Sequence, residues 1–177
     1  MRIAYAGAEG AFAHEACRAF AEDFEAVAVP NFGAVISAVA AGQAKAGMLP
    51  LRNSRAGEVE EVRELLAAGR VGIARECPLP VRMHLLGLAD GELSGLTAVT
   101  SHPVALRQCA ASLERLGLET SPAANTALAA RELRDAKVGV LASEAAARAY
   151  GLKVLQHDMQ DDPNNVTVFA IVERRTD

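Results

Sequence analysis

Short runs of β-forming residues alternate with stretches of helical period along most of the chain, and that alternation most limits what it can fold into. Strand-like runs fall at 2–6, 25–30, 44–51, 71–77, 82–88, 96–100, 138–142, 154–157 and 166–172. Helical stretches fall between them at 13–22, 33–41, 59–67, 103–116 and 126–133, with a last one from the Ser143 cap to Tyr150. Val35, Ile36 and Val39 share one stripe. Val59, Val62 and Leu66 share another, with Glu60, Glu61 and Glu64 turned outward. Gly69, Gly117 and Gly151 stand where helices should stop. The pattern predicts an α/β fold with largely parallel sheets, and in such folds ligands bind beyond the carboxyl ends of strands. CPLP at 77–80 reads as a crossover to a second lobe. The run at 166–172 breaks the alternation and would return the chain to the first sheet, giving two α/β lobes joined by two crossings.

Bulk properties narrow the function. A chain of 177 residues fits one domain or two small lobes, and 51% hydrophobic residues, many of them alanine, suffice for a core built on close helix packing. The net charge of −4 argues against a nucleic-acid partner, and no Trp, five Phe and two Tyr are few for base stacking. Cys17, Cys77 and Cys109 are scattered, which reads as reduced thiols in a cytoplasmic protein and not as a zinc set. MRIAYAGAEG lacks the apolar region of a signal peptide, and no run approaches the roughly 20 apolar residues of a membrane helix, so no membrane partner is expected.

The chemistry is expected at strand-to-helix turns. GAEG, residues 7–10, reads as a tight turn or as a backbone cradle for an anion. RNSRAG, residues 52–57, is either a capping loop, with Ser54 as the cap, or a carboxylate site using arginine. In TSHP, residues 100–103, Ser101 or His102 is a plausible N-cap before Pro103, and His102 could donate to an anion. Thr126, after Asn125, reads first as a cap and second as a ligand contact. His84 reads as a satisfied buried histidine, while His14 and His157 carry no pattern. Thr167, inside a β-rich run, is by spacing alone only a strand former.

Taken in order, these segments resemble the catalytic domain of prephenate dehydratases. GAEGAFA at 7–13 stands where that family has Gly-Pro-x-Gly-Thr-Phe/Tyr-Ser, and PLRNSRAG at 50–57 matches Pro-x-Glu-Asn-Ser-x-x-Gly. SHPVALRQC at 101–109 matches Ser-His-Pro-x-Ala-Leu-x-Gln-Cys. Residues 125–127 correspond to a Ser-Thr-Ala turn, and NVTVF at 165–169 to Asn-x-Thr-Arg-Phe. The resemblance implies two α/β lobes, type II periplasmic-binding-protein-like, with a cleft between them. Lobe 1 would hold about residues 1–78 and 164–177, lobe 2 about 79–163. It implies a cytoplasmic homodimer that converts prephenate, a small dicarboxylate, to phenylpyruvate, water and carbon dioxide on the way to phenylalanine, with no cofactor or metal. Thr167 would assist departure of the hydroxyl. Arg52, Asn53, Ser54, Gly57, Ser101, His102, Thr126 and Phe169 would contact substrate. Most relatives add a phenylalanine-binding ACT domain, and the expectation here is the catalytic domain without it.

The departures are as informative. Arg52 stands where the family has glutamate, Val168 where it has arginine, and Ala11 and Ala13 where it has threonine and serine. Arg52 would either replace the motif arginine as anion anchor or face solvent. Three functions stay open: a prephenate dehydratase; a variant that decarboxylates prephenate or dehydrates arogenate; or a non-catalytic binding protein for a small carboxylate.

Overall fold

Apolar runs become strands here because helices cover both of their faces. The computed structural model describes residues 1–175. The elements are β1 (Arg2–Ala6), α1 (Phe12–Phe20), β2 (Glu25–Val29), α2 (Phe32–Ala40), β3 (Ala46–Asn53), β4 (Gly57–Glu58), α3 (Glu60–Ala67) and β5 (Val71–Pro80). They continue as β6 (His84–Gly87), β7 (Ala98–Ser101), α4 (Pro103–Gln108), α5 (Ala110–Leu116), β8 (Glu119–Pro122) and α6 (Thr126–Glu132). The last are β9 (Val138–Ala142), α7 (Glu144–Tyr150), β10 (Lys153–Gln156) and β11 (Val166–Arg174).

The chain divides into two compact units. The first comprises Met1–Ala8, Phe12–Pro80 and the chain from Val166 onward. Its sheet has the order β2-β1-β3-β11-β5, with β4 added to β3. Ile3 and Tyr5 of β1 lie in a core with Ala16 and Cys17 of α1, while Ala4 lies in another with Val35, Ile36 and Val39 of α2. Alternate residues of one strand thus feed two helix layers, as burial on both faces requires.

The second unit comprises Glu9–Ala11 and Val81–Asn165, around a sheet of order β10-β6-β9-β7-β8. Its core is rich in small residues: Ala129 and Ala130 of α6, Ala142 of β9, Ala146 and Ala147 of α7. Small residues permit close approach. A Cβ on Gly10 would lie 2.5 Å from the Ala146 Cα, and Gly10 has φ +80, so both space and backbone require glycine there.

Three expectations need correction. The sheets are mixed, not largely parallel: β1 runs parallel to β2 and β3, but β11 runs antiparallel to β3 and β5, and β6 antiparallel to β9 and β10. Parallel pairing needs a crossover connection, usually a helix. No helix precedes β11 in the 157–165 stretch. The helix expected over 103–116 is two helices, broken at Cys109 (φ −118, ψ 15). Asp161 causes the break by competing for backbone bonds. Its N–H donates to the Gln108 carbonyl at 2.8 Å, and its carboxylate accepts from Ala111 N at 3.1 Å and Ser112 N at 3.3 Å, capping α5. Finally, β8 had no counterpart in the sequence reading, being a polar strand whose residues are all exposed.

Candidate functional site

The site begins where β3 leaves the core. Leu49 is fully buried, and four residues on, the Asn53 side chain organises a turn. Its Oδ1 accepts from Arg55 N at 2.9 Å and from Ala56 N at 3.0 Å. Gly57, at φ +83, then brings the chain back opposite Asn53 as β4. Two backbone donors on Oδ1 fix which way the amide points. Its nitrogen faces β11 and donates to the Val166 carbonyl at 3.2 Å and to Thr167 Oγ1 at 2.8 Å. Ser54 closes the arrangement: its N–H donates to the Val166 carbonyl at 2.9 Å, and its Oγ accepts from Val166 N at 3.0 Å.

The chemical consequence lies at Thr167. An amide nitrogen has only hydrogens to offer, so the threonine oxygen is the acceptor in this bond. Its own proton stays available to donate. The cluster therefore presents a half-buried hydroxyl whose orientation is fixed from behind.

The expected helix cap at Ser54 is a different device. Val59, which has no side-chain acceptor, stands at the N-cap of α3, while Ser54 lies five residues earlier and is engaged with β11. Arg52 is engaged too. It lies opposite Val168 across the β3–β11 ladder, and its guanidinium meets the Glu76 carboxylate through two bonds of 3.3 and 2.7 Å. Hydrogen bonding and charge raise the Arg52 pKa and lower that of Glu76. Phe169 is 3% exposed and packs in the core with Ile3, Tyr5 and Leu79.

In the second unit, the expected polar residues serve strand ends and helix starts. Ser101 is fully buried and donates through Oγ to the Leu141 carbonyl at 2.7 Å, tying β7 to β9, so it is not the cap of α4. That cap is His102, whose Nδ1 accepts from Val104 N at 3.2 Å. In a neutral ring this leaves the hydrogen on Nε2, a donor directed away from the helix. The cap of α6 is Asn125, accepting from Ala127 N and Leu128 N, and Thr126 is only the first helical residue. Ser143 caps α7 at Ala146 N and donates to the Gly10 carbonyl at 2.7 Å.

Sequence reasoning passed over Gln108 and Asn165, although both lie in motif segments. Asn165 is 2% exposed, and its Nδ2 donates to Gln108 Oε1 at 3.1 Å. It also gave no pattern to His14, whose ring stacks on Tyr5 at 5.2 Å between centroids, 18° from parallel. Burial pushes the Cys17 and Cys109 thiols up to about 12, so neither is a nucleophile near neutrality. Among the described residues no group of His, Cys, Asp or Glu converges as a metal site requires, and no helix is long and apolar enough to cross a membrane.

Comparison with known proteins identifies the family. The chain is 37% identical over 177 residues to arogenate dehydratase/prephenate dehydratase 1, chloroplastic, of Arabidopsis thaliana, covering 98% of this chain and 45% of that protein. It spans 45% of the length of that relative and of arogenate dehydratase 2 of Petunia hybrida. The crystal structure of prephenate dehydratase from Arthrobacter aurescens in complex with L-Phe superposes with a TM-score of 0.92 at 26% identity, over 100% of this chain and 61% of that one. An ABC transporter structure from Parabacteroides distasonis shares the fold alone, with a TM-score of 0.52 at 14% identity, over 99% of this chain and 66% of that one. The prephenate dehydratase family model matches residues 3–177, and the chain belongs to that family.

Proposed function

We propose that this domain converts prephenate to phenylpyruvate, water and carbon dioxide, a step in phenylalanine biosynthesis. The observation that carries the proposal is the bond from Asn53 Nδ2 to Thr167 Oγ1, which makes the threonine an oriented proton donor. In this reaction the ring carbon–oxygen bond breaks and the hydroxyl leaves with the electron pair. The bond from the ring to its carboxylate supplies a pair to the ring, releasing carbon dioxide. Aromatisation drives the step, and one proton completes the water. A threonine hydroxyl is a very weak acid, so its part is to hydrogen-bond the departing oxygen and relay a proton, with its value lying in placement.

Asn53 and Ser54 hold Thr167 and line the reacting end, with Gly57 closing the turn beside them. We assign the two compact units to the two lobes of the family fold. The proposed state is a cytoplasmic homodimer needing no metal or organic cofactor, and the free, buried cysteines suit a reducing compartment.

Incubation with prephenate tests the reading, with phenylpyruvate absorbance and carbon dioxide followed together. Equal yields of both are expected. Carbon dioxide without phenylpyruvate would identify a decarboxylase. Binding without either product would identify a sensor. Arogenate is the second reading, favoured by the Arabidopsis relative named for both substrates. Phenylalanine formed from arogenate faster than phenylpyruvate from prephenate would select it.

A further inference from the structure

The Arg52–Glu76 ion pair spans a whole strand. In the sheet order β3-β11-β5, Arg52 lies on β3 and Glu76 on β5, so the pair passes over β11 and joins its two neighbours. Arg52 stands opposite Val168, and Glu76 opposite Ala170. Both side chains are about half exposed, at 47% and 48%, and they meet through a two-bond fork. A fork of this kind fixes direction as well as distance.

It crosses beside an irregularity in the backbone ladder. The β3–β11 register shifts between Val168 and Phe169, next to Thr167. A bulge interrupts the regular ladder and increases local twist, so beyond it the ends of the two strands rely on side-chain bonds such as those of Asn53 and Ser54 to Val166. Arg52 immediately precedes Asn53, and Val168 immediately follows Thr167. A link over β11 at this point therefore borders both members of the Asn53–Thr167 bond.

We propose that Arg52 and Glu76 are positioning residues: a strand-spanning clamp that holds Asn53 Nδ2 against Thr167 Oγ1. The inference rests on the dehydratase reading of Thr167. It opposes the role of Arg52 as the anchor for a substrate carboxylate, because here the carboxylate on Arg52 belongs to the protein.

Glu76→Gln separates the two roles, since it removes the partner and keeps the cation. A clamp requires Arg52→Gln and Glu76→Gln to act alike. Each should lower kcat by about fivefold or more, since small misplacements of a reacting group are costly, and leave KM within about twofold. The exchange Arg52→Glu/Glu76→Arg rebuilds the clamp with reversed charge and should recover most of the lost kcat. An anchor requires opposite effects, with Glu76→Gln lowering KM and Arg52→Gln raising it. That result, or an unchanged kcat in both single variants, overturns the clamp.

A second readout does not depend on turnover. The Asn53 side-chain amide signals in NMR should shift in both single variants and return in the exchange. Unmoved signals in Glu76→Gln overturn the clamp whatever the substrate. If the wild-type protein turns over neither prephenate nor arogenate, the dehydratase reading fails, and the amide signals still decide whether the clamp exists.

Discussion

The polar residues of the two units are of the same kinds, asparagine and serine at the ends of strands, yet their hydrogen bonds end in different places. In the second unit, Asn125, Ser143 and Ser101 end on backbone groups: helix N–H groups, the Gly10 carbonyl and the Leu141 carbonyl. Each of these three side chains closes on the backbone. In the first unit, Asn53 takes two backbone donors and passes its own hydrogen on to another side chain, Thr167. That chain of bonds ends on a hydroxyl with a proton still to give. Under the proposed function, chemistry belongs where a network leaves a donor over, and stability where it closes on the backbone.

Removing the terminal donor should have the largest effect. Thr167→Val keeps the shape and β-propensity of the residue and deletes the hydroxyl. Turnover of prephenate should fall by about 10²–10⁴, the usual contribution of a placed proton donor, while the urea midpoint stays near the wild-type value. Thr167→Ser should retain much of the activity. Equal activity in Thr167→Val would end the distinction between the units.

The second unit should respond in the opposite way. Ser143→Ala removes the α7 cap and one donor to the Gly10 carbonyl, so a loss of about 1–3 kcal/mol is expected in urea unfolding. Asn125→Ala removes one cap alone and should cost about 1 kcal/mol. In both variants stability should drop more than kcat does. A kcat loss in Asn125→Ala as deep as that of Thr167→Val would mean the caps of the second unit belong to the chemistry after all.

This contrast was partly legible in the sequence. Motif order pointed to Thr167, Asn53 and Ser54, and helix ends at Ser143, Gly117 and Gly151 announced themselves through local backbone preferences. Partners brought from far along the chain were not legible. Nothing near Arg52 names Glu76, 24 residues away. Nothing in the helical period of 103–116 tells that Asp161 will break it at Cys109. The cap reading of Ser54 failed for the same reason. A serine ahead of a helix can cap it, but β4 lies between Ser54 and α3, and Ser54 bonds Val166 of β11 instead.

A smaller effect should come from His84, buried in the second unit. Its Nδ1 accepts from Asp158 N at 3.1 Å, which a doubly protonated ring cannot do. Burial first, and then the charge of His157, lower its pKa below the ordinary 6.5, against a raising influence from Asp158 and Glu144. A histidine depressed in the folded state stabilises in full above its unfolded value. That contribution is lost as pH falls from about 6.5 through the folded value. The urea midpoint should therefore decline below pH 6.5 in the wild type and decline less in His84→Gln. Identical slopes would show that this bond does not couple the second unit to pH.

The smallest expected effect sharpens the comparison most, because it sets two similar ion pairs against each other within one sheet. Arg2 and Glu25 are direct partners on the adjacent strands β1 and β2, meeting at 3.3 Å with both side chains more than 60% exposed. Exposed pairs of this kind contribute little, since solvent screens the charges and the side chains lose freedom on pairing. Glu25→Gln should leave both the urea midpoint and kcat within error. Glu76→Gln should leave the midpoint nearly as still, because its pair is also half exposed, yet lower kcat. The two pairs differ in what lies beneath them: one joins strands already held by a regular parallel ladder, the other crosses a register shift beside Thr167. If Glu25→Gln lowers kcat as much as Glu76→Gln, the effect is a general one of surface charge and not of position.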